Sequence, residues 1–492
     1  MTLHRRWETA GIVVIALGFV MRAAWLTSKA LWFDETVSVL LARQAPVDLI
    51  ASVATNEPHP PLYYLLLHAW IRAFGAGEAA VRALSVIIGG AVVALTWLFG
   101  RRLVGAGPAL LGTLLVAVAP AQIAASQEAR MYGLLTAVAI GSWWALWAGL
   151  ASGSPRAWVG YALTVAAMLY SHYYGFFVLA AHAAFVLSRR TPAAGRTSWL
   201  RSLAGAAVLM AVWVPSLIAQ LAAGRAWPSF RVPLTGALLV DTLSAMTVGQ
   251  PLLQPGALRL PTSPASGSAW LAAAAFIGAL AVTSVAVRRR AVNADAFRLL
   301  LCAAVVPPVL AFVVSLGLNV YAPRYLLFIV SPIALLLAAA VLGPGLGRIG
   351  IAAACLVVAA NLAGTIAFYR QPSLDVFDWR YVAHELAVAT RADDAIVFLP
   401  GFSRIPIDYY FPGPQPRIPL TPDGDDVVGP GGARMPEVAS TLLAHPRVWI
   451  VTVHPVPSAV PAFIRAMTAR SFVVAHRARL TYVEFFRLER RP

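Results

Sequence analysis

Residues 79–119 read AAVRALSVIIGGAVVALTWLFGRRLVGAGPALLGTLLVAVA. Two apolar runs, 79–99 and 103–119, stand back to back with Arg101 and Arg102 between them. A helix needs about 20 apolar residues to cross the hydrocarbon of a bilayer. Arginines concentrate in short cytoplasmic loops. The stretch therefore predicts a membrane hairpin whose basic turn lies inside.

The whole chain fits that reading. Its 492 residues are 59% hydrophobic and 12% charged, with mean hydropathy +0.73. A soluble globular protein carries roughly 25% charged residues, and the excess apolar surface here needs lipid to face. The formal net charge is +17. Such a surplus ordinarily points to nucleic acid or to an anionic membrane surface. Here the basic residues are almost all arginines, with Lys29 the lone lysine, in short groups between apolar runs. That is the positive-inside pattern and not a nucleic-acid footprint. Cys302 and Cys355 both sit in apolar runs, where they read as small packing residues and not as a disulfide framework.

Working outward from the hairpin, apolar runs recur at 10–26, 131–150, 158–170, 175–187, 200–219, 270–286, 299–318, 326–342 and 349–368, which predicts eleven spans in all. The runs at 158–170 and 175–187 are short, so they are tilted or flank a break at Ser171-His172-Tyr173-Tyr174-Gly175. Arg5 and Arg6 precede the first run, and no small-residue cleavage site follows it. It reads as a retained helix and not as a signal peptide. Segment 62–74 is apolar but short and follows Pro60-Pro61, so it reads as an interfacial or re-entrant helix. With that segment not crossing, Arg5-Arg6, Arg101-Arg102, Arg156, Arg189-Arg190 with Arg196, Arg288-Arg289-Arg290 and Arg348 all fall inside. Counting it as a crossing moves the Arg189 and Arg288 groups outside, against the rule.

Three longer segments then lie outside: 27–78, 225–268, and the tail from 371. The tail is richer in aspartate and reads as a small soluble α/β unit. Its helices are expected at 381–390 and 461–468, and its strands at 395–399, 448–453 and 482–488. The organisation expected is a membrane domain over 1–370, with the first external loop at 27–78, and a soluble extracytoplasmic domain over 371–492. No repeat of 20–50 residues is present.

Polar clusters mark the outer ends of the spans. Trp32-Phe33-Asp34-Glu35 places two carboxylates just beyond the first span. Acids also favour a helix N-terminus for purely structural reasons. Asn56-Glu57-Pro58-His59-Pro60-Pro61-Leu62-Tyr63-Tyr64 fixes one histidine among three prolines, either as an anion contact or as a polar helix entry. Ser126-Gln127-Glu128-Ala129-Arg130-Met131-Tyr132 offers a Glu–Arg ion pair or an arginine for a phosphate. Ser171-His172-Tyr173-Tyr174-Gly175 and Tyr321-Ala322-Pro323-Arg324-Tyr325 read as interfacial anchors or as further anion contacts. One charge-derived topology puts all five clusters on the same face. Ionisable groups at membrane depth are functional candidates by default. The carboxylates suit a general base for an attacking hydroxyl, and the cations suit a departing phosphate. No Gly-rich phosphate loop follows a strand-like run, no Asp-x-Asp pair stands among the polar clusters at the span ends, and no zinc spacing is present, which favours a lipid-linked donor over a nucleotide sugar.

The ordered set of motifs resembles the membrane-embedded glycosyltransferases of the C superfamily (GT-C). The branch it is most similar to is the family-39-like bacterial proteins related to protein O-mannosyltransferases and lipid A aminoarabinose transferases. The resemblance covers most of the chain and is most specific up to about residue 187; Asp378-Trp379-Arg380 at the tail's opening also fits. It implies a mainly α GT-C membrane bundle with juxtamembrane helices in the first external loop. It also implies an inverting transfer from a polyprenyl-phosphate sugar to a cell-envelope acceptor, on the outer face of the inner (plasma) membrane. Asp34 is the implied base, with Glu35 orienting the acceptor or the base. The phosphate and substrate contacts expected are His59, Arg130, Tyr132, His172, Tyr173, Arg324 and Tyr325. His59 stands where such enzymes carry a basic residue, often lysine, so its charge becomes a question of environment. Metal dependence varies across the superfamily, and no metal ligand or cofactor is assigned. Two other readings differ in kind. A transporter or flippase should show related halves with broken helices at mid-membrane, which the sequence lacks. A noncatalytic envelope-assembly subunit should tolerate loss of Asp34.

Overall fold

The computed structural model describes residues 3–223, 234–248, 278, 293–318, 320–343, 346–370, 379–399, 401–419, 441–453, 459–479 and 483–491. The run at 270–286, the triplet Arg288-Arg289-Arg290 and Asp378 lie outside the described residues. The chain divides into two compact units, residues 1–28 with 42–372 and residues 29–41 with 373–492.

The first unit is helical. Helix α1 (Leu3–Ala23) leads, and α2 (Phe33–Ala42) falls almost wholly in the second unit. Then come α3 (Pro46–Asn56), α4 (Leu62–Phe74), α5 (Glu78–Val104), α6 (Ala106–Val118), α7 (Pro120–Ser126), α8 (Tyr132–Ser152), α9 (Pro155–Ser171), α10 (Gly175–Ser188), α11 (Ala193–Ala211) and α12 (Val214–Ala222). Among the described residues five helices are long and apolar enough to cross a membrane: α5, α8, Ala294–Ser315, Pro323–Val341 and Gly347–Arg370. The count reaches seven if each of two bent pairs is one span. These are α6 with α7, bent by 57°, and α11 with α12, bent by 69°. Segment 62–74 forms α4, whose 13 residues are short for a crossing of about 20.

The α6–α7 bend has a clear cause. Pro120 has no N–H, so the carbonyl of Val116 loses its helical donor. Arg22, fully buried in α1, supplies one. Its guanidinium donates to Val116 O at 3.0 Å, Ala117 O at 3.0 Å and Gly18 O at 2.9 Å, and its Nε donates to Ser126 Oγ at 3.1 Å. Thr365 Oγ1 donates to Val118 O at 2.7 Å. An arginine left without partners at this depth costs several kcal/mol; here the broken helix and the charge satisfy each other. Gln127 ties the loop after α7 to Arg22 O and Ala24 O, at 3.0 and 2.7 Å. Gly89 of α5 lets this knot pass close by, because a Cβ there would stand 2.1 Å from Ser126 Oγ.

The second unit is built on a five-stranded sheet in the order β2-β1-β3-β5-β4. The strands are β1 (Ala395–Leu399), β2 (Arg417–Pro419), β3 (Arg447–Val453), β4 (Phe472–Arg479) and β5 (Val483–Arg490). β1 pairs in parallel with β2 and β3, and β5 runs antiparallel to β3 and β4. Strand β1 is buried throughout, and β3 in all but its last residue, so both read as continuous apolar runs. One face packs against helix Trp379–Ala389 through Trp379, Val382 and Leu386. The other packs against helix Ala459–Thr468 through Val460, Phe463 and Met467. Asp394, buried before β1, accepts from Arg447 Nε and Nη2 at 2.7 Å each, from Trp449 Nε1 at 2.9 Å and from Arg391 N at 2.8 Å.

Segment 29–41 joins this unit. Tyr410 Oη takes a hydrogen bond from Leu31 N at 2.6 Å, and Phe33 meets Phe402 edge-to-face at 5.4 Å.

Candidate functional site

Within the helical unit four loops bring six of the expected residues together. His59 comes from the α3–α4 turn. The residue before a proline is pushed out of the α region, and Glu57, before Pro58, is extended at φ −102°, ψ 143° and ends α3. Arg130 and Tyr132 come from the turn after α7. His172 closes α9 in extended backbone, and α10 starts at Gly175. A Cβ on Gly175 would meet Met168 Cγ at 3.0 Å, so glycine permits this tight turn. Arg324 and Tyr325 open the 3-10 segment Pro323–Ile329.

The groups interlock. Arg130 Nη2 donates to His59 Nδ1 at 3.3 Å and Arg130 Nη1 to Tyr64 Oη at 3.2 Å. Tyr64 donates to Glu57 Oε2 at 2.8 Å, and that oxygen lies 3.7 Å from His59 Nδ1. The His59 and His172 rings are 4.9 Å apart. Tyr325 is the aromatic hub, with its ring 4.5 Å from His172, 5.7 Å from His59, 5.8 Å from Tyr132 and 5.1 Å from Tyr174.

His172, Tyr173 and Tyr174 do three different jobs. Tyr174 straps the fourth loop: its hydroxyl donates to Val320 O and accepts from Ala322 N at 2.8 Å. Tyr173 turns to α12, where its hydroxyl donates to Gln220 Oε1 and accepts from Trp213 Nε1 at 3.0 Å. His172 faces the cluster. Its Nδ1 accepts from Tyr174 N at 3.0 Å, which fixes the ring proton on Nε2. That Nε2–H is buried and has no hydrogen-bond partner among the described residues.

Charge follows from burial. Burial holds His59 well below its ordinary value of 6.5, and Arg130 and then Arg324 push it the same way. His172 is lowered by burial, then by His59 and Arg130. Burial raises the Glu57 carboxyl, against the pull of Arg130 and the Tyr64 hydrogen bond. Burial pushes Tyr173 up to about 12, against its Trp213 hydrogen bond. The site thus sets two neutral imidazoles beside guanidinium groups: N–H donors with net positive potential, suited to an oxyanion.

Asp34 and Glu35 belong to the second unit, in the first turn of α2. Glu35 is buried and accepts from Trp32 N at 3.2 Å, the carboxylate half of a capping box. Asp34 is partly exposed, and its carbonyl accepts from Ser38 Oγ at 2.8 Å. Glu57, Tyr64 and Tyr174 complete the cluster without having been singled out in the sequence. Glu57 and Tyr64 stand inside the Pro-rich motif, one at the end of α3 and the other in the first turn of α4. Among the described residues no group of three His, Cys, Asp or Glu side chains is placed to hold a metal ion.

Residues 58–218 match the family model described as dolichyl-phosphate-mannose-protein mannosyltransferase. No curated protein matches the chain in sequence. In fold the chain is similar to ArnT from Cupriavidus metallidurans bound to undecaprenyl phosphate, at TM-score 0.65 and 14% identity, with 97% of each chain covered. It is also similar to the Archaeoglobus fulgidus oligosaccharyltransferase in the apo form, at TM-score 0.55 and 12% identity, over 91% of this chain and 69% of that one. AglB from the same organism, in complex with an inhibitory peptide and a dolichol-phosphate, gives TM-score 0.53 and 13% identity over 92% and 70%. The resemblance read in the motifs is borne out: the chain has the GT-C type of membrane-glycosyltransferase fold, similar in fold to ArnT and AglB, with residues 58–218 matching the mannosyltransferase family model.

Proposed function

We propose that the chain is an inverting glycosyltransferase that moves a sugar from a polyprenyl-phosphate donor to a cell-envelope acceptor on the extracytoplasmic face of the inner membrane. The observation that carries this is the His172 Nε2–H, buried beside Arg130 and His59 and without an acceptor among the described residues. A buried donor left without an acceptor is costly, and a phosphate oxygen is the acceptor its surroundings favour. Arg324 and Tyr325 complete the phosphate site, Tyr132 lines its approach, and Tyr173 holds the turn that carries His172. Asp34 takes the proton from the acceptor hydroxyl, whose oxygen attacks the anomeric carbon. The bond from that carbon to the phosphate oxygen breaks, and polyprenyl phosphate leaves as an anion held by the cations. Glu35 holds the turn that presents Asp34. ArnT and AglB structures contain undecaprenyl phosphate and a dolichol-phosphate, which supports the choice of donor. The proposed organisation is a transferase domain over 1–370 with eleven spans and a cytoplasmic N-terminus, and an extracytoplasmic domain over 371–492.

The test uses the full chain in lipid nanodiscs with a panel of polyprenyl-phosphate sugars. At least one donor should raise the melting temperature saturably and be consumed, by transfer or by slow hydrolysis. A panel that leaves both melting and donor untouched overturns the proposal.

A further inference from the structure

We infer that Gln220 is a positioning residue of the proposed donor site, setting the spacing of the two loops that carry His59 and His172; the inference rests on the donor-site reading above. Helix α12 is apolar and exposed at Val214, Ile218 and Leu221, and Gln220 is its buried side chain. A buried amide is costly unless its polar atoms are bonded, and this one bonds in two directions. Its Nε2 donates to Glu57 O at 2.8 Å and Val53 O at 3.0 Å, with Ala54 O at 3.4 Å. Its Oε1 accepts from the Tyr173 hydroxyl, which is braced in turn by Trp213 Nε1 at 3.0 Å.

One amide therefore closes the last carbonyls of α3, two residues before His59, and also holds the residue next to His172. The two rings it serves meet at 4.9 Å although their loops are far apart in sequence. A simple helix cap needs only the amide donor. The hydroxyl on the other side makes Gln220 a spacer between two loops. It stands two residues beyond the segment matched by the family model. Among the described residues neither Gln220 nor Trp213 hydrogen-bonds to His59, His172 or Arg130, so their effect on a ligand runs through the loops that carry those groups.

The experiment compares Gln220→Met, Tyr173→Phe and the double variant, all as full chains in nanodiscs. Hydrogen exchange is followed in peptides covering 57–64 and 171–178, and polyprenyl phosphate binding is measured well below each variant's melting temperature. Gln220→Met should speed exchange in both peptides together, by roughly tenfold. Each single variant should weaken polyprenyl phosphate by roughly tenfold, and the double variant should bind no worse than the weaker single one, because both cut one link. Faster exchange in 57–64 alone, with unchanged Kd, makes Gln220 only a cap and overturns the inference. Additive losses in the double variant overturn it too. Failure of the wild-type chain to bind polyprenyl phosphate sinks the donor-site reading instead, and the paired exchange of the two loops then decides whether Gln220 spaces them.

Discussion

Replacing His172 by asparagine separates ligand binding from scaffolding at a single ring. The asparagine oxygen stands close to where Nδ1 stood, so it can keep the bond from Tyr174 N, while the far-edge donor disappears. In the free protein the Nε2–H has no partner among the described residues, and a buried group left so costs about 1–3 kcal/mol. Its removal relieves that cost. The smaller side chain loses ring packing against Tyr325 and His59, a loss of about 1–3 kcal/mol with the opposite sign. The two nearly cancel, and the melting temperature should barely move. In the complex a hydrogen bond to a charged phosphate is worth about 1.5–3 kcal/mol. At about 1.4 kcal/mol per decade, Kd for polyprenyl phosphate should rise by roughly ten- to a hundredfold. His172→Gln makes the opposite trade: its amide nitrogen reaches the far edge, so binding is largely kept, while Tyr174 N loses its acceptor and melting falls. The assay pairs a binding isotherm in nanodiscs with scanning fluorimetry on the same samples. Wild-type affinity in His172→Asn removes the imidazole from the phosphate. A loss of affinity that merely tracks a lower melting temperature reduces it to a structural role.

Asp34→Asn should abolish sugar transfer and leave folding unchanged, whereas Glu35→Ala should lower stability by about 1 kcal/mol through the lost cap; residual turnover near the wild-type rate in Asp34→Asn removes it as the base. Gly89→Ala drives a Cβ to 2.1 Å from Ser126 Oγ and 3.0 Å from Arg22 Cδ, so it should cost about 1–3 kcal/mol, while Gly160→Ala, with nothing within 4 Å, should not destabilise. Equal melting of the two variants counts against the Arg22 knot. Lowering the pH should destabilise the free protein. His59 and His172 are held below 6.5 in the folded state and return to it on unfolding. The unfolded chain then binds more protons, and the stability present above 6.5 is lost as the pH falls below it. His59→Asn with His172→Asn should flatten the melting curve between pH 7 and 5, and an unaltered slope places the titration elsewhere.

Periodicity made part of this molecule readable in the sequence. The short apolar run at 62–74 is a separate helix because Pro60-Pro61 isolates it, and the structure keeps those bounds. Strand β1 falls where a β-branched run stands between turn residues. Strands β2 and β4 were not legible: the first is three residues ending in proline, and the second ends in His-Arg-Ala-Arg on the sheet's edge. Partners were harder to read than elements. Arg22 lies inside an apolar run, and Pro120 lies at the end of another. Nothing local says that the carbonyls freed by one satisfy the other. Tyr173 stands beside His172 in the sequence, yet its hydroxyl goes to Gln220. Adjacent residues on a turn point different ways, and hydropathy carries no record of direction.

The use of histidine at positions 59 and 172 follows from crowding. Arg130 and Arg324 already impose positive charge on a buried cluster, as their effect on His59 shows. A further permanent cation there adds like-charge repulsion and a desolvation cost of several kcal/mol in the free protein. A neutral imidazole avoids both and still offers an N–H. An incoming phosphate reverses the local field and raises the imidazole pKa, so binding draws in protons. Affinity for polyprenyl phosphate should therefore tighten as the pH falls from 8 towards 6, over the same range in which the free protein begins to lose stability. Replacing His59 by lysine should remove the pH dependence that His59 contributes and destabilise the free protein. A His59→Lys chain that melts like the wild type and binds with the same pH profile contradicts the account of why the site is neutral when empty.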